Sequence, residues 1–135
     1  MKEKKKETRR EFIKKSAGAA ALLSMPTIIP ASVFGANGKV SVAVIGVNGR
    51  GGSHIQGFMN LPNAEVTCLC DCDLNVLGPK AKAFETRYSK KVKQEQDLRN
   101  VFADKSIDAV SIATPNHWHA LATIWACQAG KDVYV

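Results

Sequence analysis

The chain has 135 residues, 45% of them hydrophobic, with four cysteines and a formal net charge of +7. That length holds one domain, or one domain plus a tail, and excludes a two-domain enzyme. The charge is not the footprint of a nucleic-acid binder: eight of the 19 Lys and Arg lie in residues 1–15 among three acids, and the other 120 residues carry only +2.

Residues 1–36 read as an address. Met1 to Lys15 is charged, whereas Ser16 to Gly38 has no charged residue and is rich in Ala, Gly, Ser and Leu. This is an n-region followed by an h-region. Pro26, Pro30 and the small size of most apolar residues there weaken a transmembrane reading. At the junction, Thr8-Arg9-Arg10-Glu11-Phe12-Ile13-Lys14 resembles the twin-arginine export motif S/T-R-R-x-F-L-K, with Ile for Leu. The motif makes the export machinery a partner and predicts a periplasmic or exported protein. The alternative is a disordered basic arm on a cytoplasmic protein. Cleavage after Ala36 would place Phe34 where a small residue is preferred, which leaves an uncleaved membrane anchor open.

From residue 37 the pattern changes to strands alternating with helices. Lys39 to Ile45 is a short apolar run ending in glycine, as in a buried parallel strand. Ile55, Phe58 and Met59 then mark one face of a helix that Leu61-Pro62-Asn63 ends. Ala64 to Cys70 is a second strand, closed by Asp71. A second helix follows between Leu74 and Tyr88, with its regular part expected from Pro79 as the first helical residue. Val92 centres a short third strand, and Asp97 can cap a helix whose apolar face is Leu98, Val101 and Phe102. Ile107 to Ala113 is the fourth strand. A helix with Leu121, Ile124 and Trp125 as its buried face runs to Gly130, and Val133 to Val135 begins a fifth strand. Such alternation implies right-handed βαβ crossovers and an α/β fold with a doubly wound parallel sheet.

Cys68, Cys70 and Cys72 alternate along the second strand, so they are badly placed to pair with one another. Their spacing is tighter than that of most zinc sites, and small buried strand residues are the simpler reading.

The chemistry concentrates at two strand ends. The first strand runs into Gly46-Val47-Asn48-Gly49-Arg50-Gly51-Gly52. A dinucleotide site needs a tight turn there, a helix N-terminus aimed at the pyrophosphate, and no side chain where the phosphate approaches. The strict G-x-G-x-x-G pattern is not met, since Asn48 stands at the middle position and Gly51 at the last. Asn tolerates positive φ, so the turn is expected to survive, with Gly49 and Gly52 adding freedom. Asp71 ends the second strand 20 residues after Gly51, where an acid would hold the adenosine ribose and repel a 2′-phosphate. NAD is therefore favoured over NADP. A helix cap is the plainer role for Asp71, and Asp73 is the runner-up for either task. The fourth strand ends in Ala113-Thr114-Pro115-Asn116-His117-Trp118-His119, at the sheet edge where open α/β folds bind ligands. Taken alone, its H-x-H could be a metal pair or two surface histidines.

AVIGVNGRGGSH, CDCD, DAVSIATPNHWHA and AGKDVYV, in this order, resemble the Gfo/Idh/MocA oxidoreductase family over residues 39–135. The resemblance implies a Rossmann domain over residues 37–135 in which Gly46, Asn48, Gly49, Arg50 and Gly51 lie along the pyrophosphate. It implies that Asp71 holds the ribose, and that Thr114, Pro115, Asn116 and His119 line the nicotinamide side. The family pattern continues with an E-K-P motif, whose lysine is usually catalytic, and then an α+β domain that forms the substrate site. The sequence stops at Val135, before that motif, so a fragment or truncated product is expected. The resemblance thus points to the NAD-holding part of an exported oxidoreductase of sugar-like or polyol substrates, with a homo-oligomer open for the full-length protein. Two alternatives stand beside it: an NAD-dependent glycosidase of the same family, and a non-catalytic nucleotide-binding module.

Overall fold

A computed structural model describes residues 38–135. The twin-arginine-like segment and the apolar stretch after it lie outside the described residues. In chain order the elements are β1 (Val40–Ile45), α1 (Arg50–Met59), β2 (Ala64–Cys70), α2 (Leu74–Tyr88), β3 (Lys93–Glu95), α3 (Leu98–Ala103), β4 (Ala109–Ile112), α4 (Asn116–Gln128) and β5 (Asp132–Tyr134).

The five strands form one parallel sheet in the order β3-β2-β1-β4-β5. The chain travels outward from β1 through β2 to β3, then crosses back to place β4 on the other side of β1. That reversal decides where helices pack. On one face, Ile55 of α1 and Leu77, Ala81 and Phe84 of α2 bury against Val44, Val66 and Leu69. On the other, Val101 and Phe102 of α3 and Ala122 and Ala126 of α4 bury against Ala43, Ile45, Cys68, Cys70, Val110 and Ile112. The order of strands thus reverses between β1 and β4, the switch point where such sheets bind ligands.

β2 does not alternate cleanly. Its register with β1 pairs Val42 with Val66 and then Ala43 with Cys68, leaving Thr67 as an extra residue. This β-bulge turns the pleat over, so Val66 and Leu69 face one helical layer while Cys68 and Cys70 face the other. Thr67 uses its hydroxyl on Ser41, 2.7 Å away. Cys68 and Cys70 are small buried strand residues, as expected, but Cys72 lies beyond the strand and is exposed.

Four local expectations are corrected. α2 begins at Leu74, not Pro79, because Asp73 caps it by accepting the Asn75 N–H at 2.8 Å. Pro79 is accommodated inside the helix, preceded by Gly78, whose missing Cβ removes part of the usual clash. β3 begins one residue after Val92; it is the polar edge segment Lys93–Glu95, held by its pairing with β2, while Val92 packs into the core. α4 buries Ala122 and Ala126, with Trp125 partly covered, whereas Leu121 and Ile124 are 40% and 53% exposed. Alanines let the helix axis approach β4 and β5 closely, which turns the bulkier residues outward. The end of α4 is as expected: Gly130 adopts φ +73°, its N–H donates to Cys127 O, and the Lys131 N–H donates to Ala126 O. These two bonds are the Schellman pattern. The fourth correction concerns Asn48 and belongs to the site.

Candidate functional site: two clefts at the β1–β4 junction

The turn after β1 depends on two of its glycines. Gly46 adopts φ +84°, and a Cβ there would lie 2.8 Å from the backbone of Ala113 and Thr114. Its N–H donates to Cys70 O at 2.8 Å, which ties the turn to the end of β2. Gly51 sits in the first turn of α1, where a Cβ would lie 2.0 Å from Gly46 O. Only a residue without a side chain lets the helix start this close to the strand. Gly49 and Gly52 have nothing within 4 Å, so their freedom is not needed for packing. Asn48 is not in the positive-φ region, since Ser89 is the only non-glycine there among the described residues. The turn is made by Gly46 alone, and Asn48 is free to present its side chain to the cleft. Gly49 caps α1 with no side-chain hydrogen bond, so the helix start is left for backbone N–H groups to serve a ligand.

Asp71 follows β2 directly. Its Oδ2 accepts the Val47 N–H at 2.9 Å and its Oδ1 accepts the Asp73 N–H at 3.1 Å. The carboxylate is thereby fixed against the glycine turn, and an ionised carboxylate retains further lone pairs for hydroxyl donors. The cap of α2 is Asp73, which takes that role in place of Asp71.

Gly46, Asn48, Gly49, Arg50, Asp71, Thr114 and Pro115 all line one cleft of about 1030 Å³. Gly51 lies behind the turn. On the far side of the junction a smaller cleft of about 280 Å³ is lined by Arg50, Thr114, Asn116 and His119. Arg50 and Thr114 border both. Pro115 lines the larger cleft and not the smaller, together with Trp118. His119 is oriented by its own helix start: Nε2 donates to the Thr114 carbonyl at 2.7 Å. His117 is exposed beside Trp118. No group of three or more His, Cys, Asp or Glu among the described residues is placed to hold a metal ion.

Several lining residues are not among the site residues that the sequence suggests. Gln96, Asp97 and Arg99 follow β3 and close the larger cleft. Asp97 caps α3 and pairs with Arg99, whose guanidinium holds that carboxyl down at about 2. Placing β3 correctly would have exposed this loop as a strand end. Both tryptophans, Trp118 and Trp125, also line the larger cleft. His54 and Tyr134 line the smaller one. His54 lies one helical turn after Arg50, a spacing that would have placed both on one face.

Two features fit a dinucleotide. The first is the Gly46–Gly51 cradle, which keeps side chains away from the helix start. The second is Thr114 Oγ1, a buried hydroxyl with no hydrogen-bond partner among the described residues, situated where the two clefts meet. A buried unsatisfied hydroxyl costs roughly 1–3 kcal/mol, which a ligand hydrogen bond would recover.

Comparison with known proteins agrees with this geometry. Residues 40–135 match the family model described as "Oxidoreductase family, NAD-binding Rossmann fold". A glycosyl hydrolase family 109 protein of Stenotrophomonas maltophilia is 36% identical over 133 residues, covering 93% of this chain and 28% of its own length. The NAD-binding protein of Listeria innocua is 29% identical with a TM-score of 0.59, over 70% of this chain and 26% of that one. The scyllo-inositol dehydrogenase of Lactobacillus casei, solved with NAD(H) and scyllo-inositol, is 20% identical with a TM-score of 0.62, over 70% of this chain and 27% of that one. At that identity it shows the shared fold. The chain spans about a quarter of the length of the curated relatives it matches.

Proposed function

Because the chain belongs to the Gfo/Idh/MocA oxidoreductase family and carries its NAD-binding Rossmann domain, we propose that it is the cofactor-holding part of an exported oxidoreductase acting on sugar-like or polyol substrates. The observation that carries this reading is the fixed pair of cradle and acid: Gly51 tucked under Gly46 O, and Asp71 bound to Val47 N–H in the same cleft. The helix start and Asn48 would hold the pyrophosphate, with Arg50 supplying positive charge beside it. Asp71 would accept from the ribose hydroxyls. Thr114, Asn116 and His119 would border the nicotinamide, which when bound exchanges hydride at its C4. Residues 37–135 form this domain, and residues 1–36 would direct export through the twin-arginine route. Replacing Arg9 and Arg10 together by Lys should then leave the protein in the cytoplasm on fractionation; unchanged export would remove the motif from its role.

Both tryptophans of the chain line the larger cleft, so intrinsic fluorescence reads its occupancy. NAD titrated into the protein should quench that emission to saturation, with NADP at least tenfold weaker. Asp71→Asn, which removes the charge and keeps the shape, should weaken NAD by about tenfold and narrow the gap to NADP. A wild-type emission that ignores NAD sinks the cofactor assignment, and an unaltered NAD/NADP ratio in the variant sinks Asp71.

A second reading rests on the 36% identity to a glycosyl hydrolase family 109 protein. Here the sugar would be oxidised transiently and reduced again, so glycoside cleavage would require NAD with no net NADH. Release of an aryl glycoside without change in NADH absorbance separates it from dehydrogenation.

A further inference from the structure

Ser111 is the one fully buried polar residue among the described residues, in β4 between β1 and β5 of the parallel sheet. Its side chain faces away from the core layer that takes Val110 and Ile112, toward α1. There His54 Nδ1 meets its hydroxyl at 2.8 Å. The imidazole is held edge-on against the Tyr134 ring of β5, with centroids 5.2 Å apart. Tyr134 in turn packs edge-on against Phe58, one helical turn beyond His54. Three elements therefore fix one imidazole in one orientation. A buried serine within an apolar sheet costs stability unless its hydroxyl is satisfied, and a helix residue reaching into the sheet to do so is a specific arrangement.

That orientation uses Nδ1 and leaves Nε2 without a hydrogen-bond partner among the described residues. Nε2 is not a buried unsatisfied atom either, and His54 lines the smaller cleft with Arg50, Thr114, Asn116 and His119. Burial, and secondarily the Arg50 charge, lower the His54 pKa from its ordinary value, so the ring is neutral at neutral pH. A neutral imidazole with one nitrogen tied to a hydroxyl offers a single polar atom to a ligand. A group of matching chemistry is a primary amide, which carries both a donor and an acceptor.

We propose that His54, fixed by Ser111 and Tyr134, is a positioning residue that binds the carboxamide end of the nicotinamide through Nε2 and so sets the angle of the ring in the smaller cleft. The proposal rests on the cofactor reading above, and the test keeps the two apart. ADP-ribose has the adenosine and pyrophosphate of NAD and lacks the nicotinamide. Both ligands are titrated into the full chain and into two variants. His54→Asn places an amide near the Nδ1 position, keeping the Ser111 contact and removing the cleft-facing atom. His54→Gln places an amide near the Nε2 position. The expected result is that His54→Asn loses about tenfold in NAD affinity with ADP-ribose unchanged, while His54→Gln recovers most of that loss. In wild type, the Nε2 nitrogen resonance of His54 should shift with NAD and stay in place with ADP-ribose. Equal loss for both ligands, or no loss for either, overturns the role of His54. Failure of wild type to bind ADP-ribose instead overturns the cofactor site itself.

Discussion

The larger cleft is walled by the loops that follow β1, β2, β3 and β4, whereas the smaller one is walled by β4, β5 and the first turns of α1 and α4. Their side chains differ in kind. The larger holds Asp71 and Asp97 together with a glycine turn and two tryptophans. The smaller holds two histidines, an arginine and an asparagine, with no Asp or Glu among the described residues. Carboxylates suit sugar hydroxyls, and bare backbone suits phosphate. An imidazole fixed by Ser111 and a side-chain amide suit a carboxamide. One sheet junction thus presents two chemistries a few residues apart, and Arg50 and Thr114 stand on the line between them.

The strongest way to break that arrangement is to fill the glycine cradle behind the larger cleft. Gly51→Ala puts a Cβ against Gly46 O and should cost about 3 kcal/mol of stability and abolish NAD binding, measured by denaturant melts and fluorescence titration. Gly52→Ala, in open space on the same helix, should instead stabilise by up to about 1 kcal/mol. Equal effects at the two glycines would remove the cradle from the account.

Thr114→Val sharpens the comparison at the boundary. It deletes the orphan hydroxyl and keeps the shape, so the ligand-free protein should gain about 1 kcal/mol while NAD affinity falls about tenfold. A variant that melts earlier without NAD would show that the hydroxyl already has a partner.

The smallest effect concerns thiols. Burial pushes Cys68 and Cys70 up to about 12, whereas Cys72 and Cys127 are exposed. Iodoacetamide at about pH 8 should label Cys72 and Cys127 alone, as read by peptide mass spectrometry. Cys72 lines the larger cleft and Cys127 does not, so NAD should slow labelling of Cys72 only. Labelling of Cys68 in the folded protein would contradict the packing of β2.

The sequence made β2 visible from end to end, because a turn at Leu61-Pro62-Asn63 and an acid at Asp71 bracket an apolar run. Asp71 and the glycine turn were visible for the same reason: their chemistry sits at strand ends. β3 was misplaced because Lys93–Glu95 has no apolar pattern and exists by pairing alone. The face of α4 was misread because close approach favours Ala122 and Ala126 over the larger Leu121 and Ile124, and size alone does not report distance. Asn48 was assigned a backbone role that Gly46 fills by itself. His54 shares a helix face with Arg50 by spacing, but its meaning depends on Ser111, 57 residues away, and on Tyr134.

The bulge at Thr67 has a consequence for how this chain tolerates change in length. Deleting that one residue would leave Val66 and Cys68 opposite the consecutive residues Val42 and Ala43, so every side chain after it would keep its layer. Leu69 would stay in one core and Cys70 in the other, and Asp71 would still leave the strand beside Val47. Straightening the strand with Thr67 retained would instead make Leu69 and Cys70 exchange cores and turn Asp71 away from the site. The spacing of 20 residues between Gly51 and Asp71 thus contains one residue that the sheet does not count, and the bulge at Thr67 is what absorbs it.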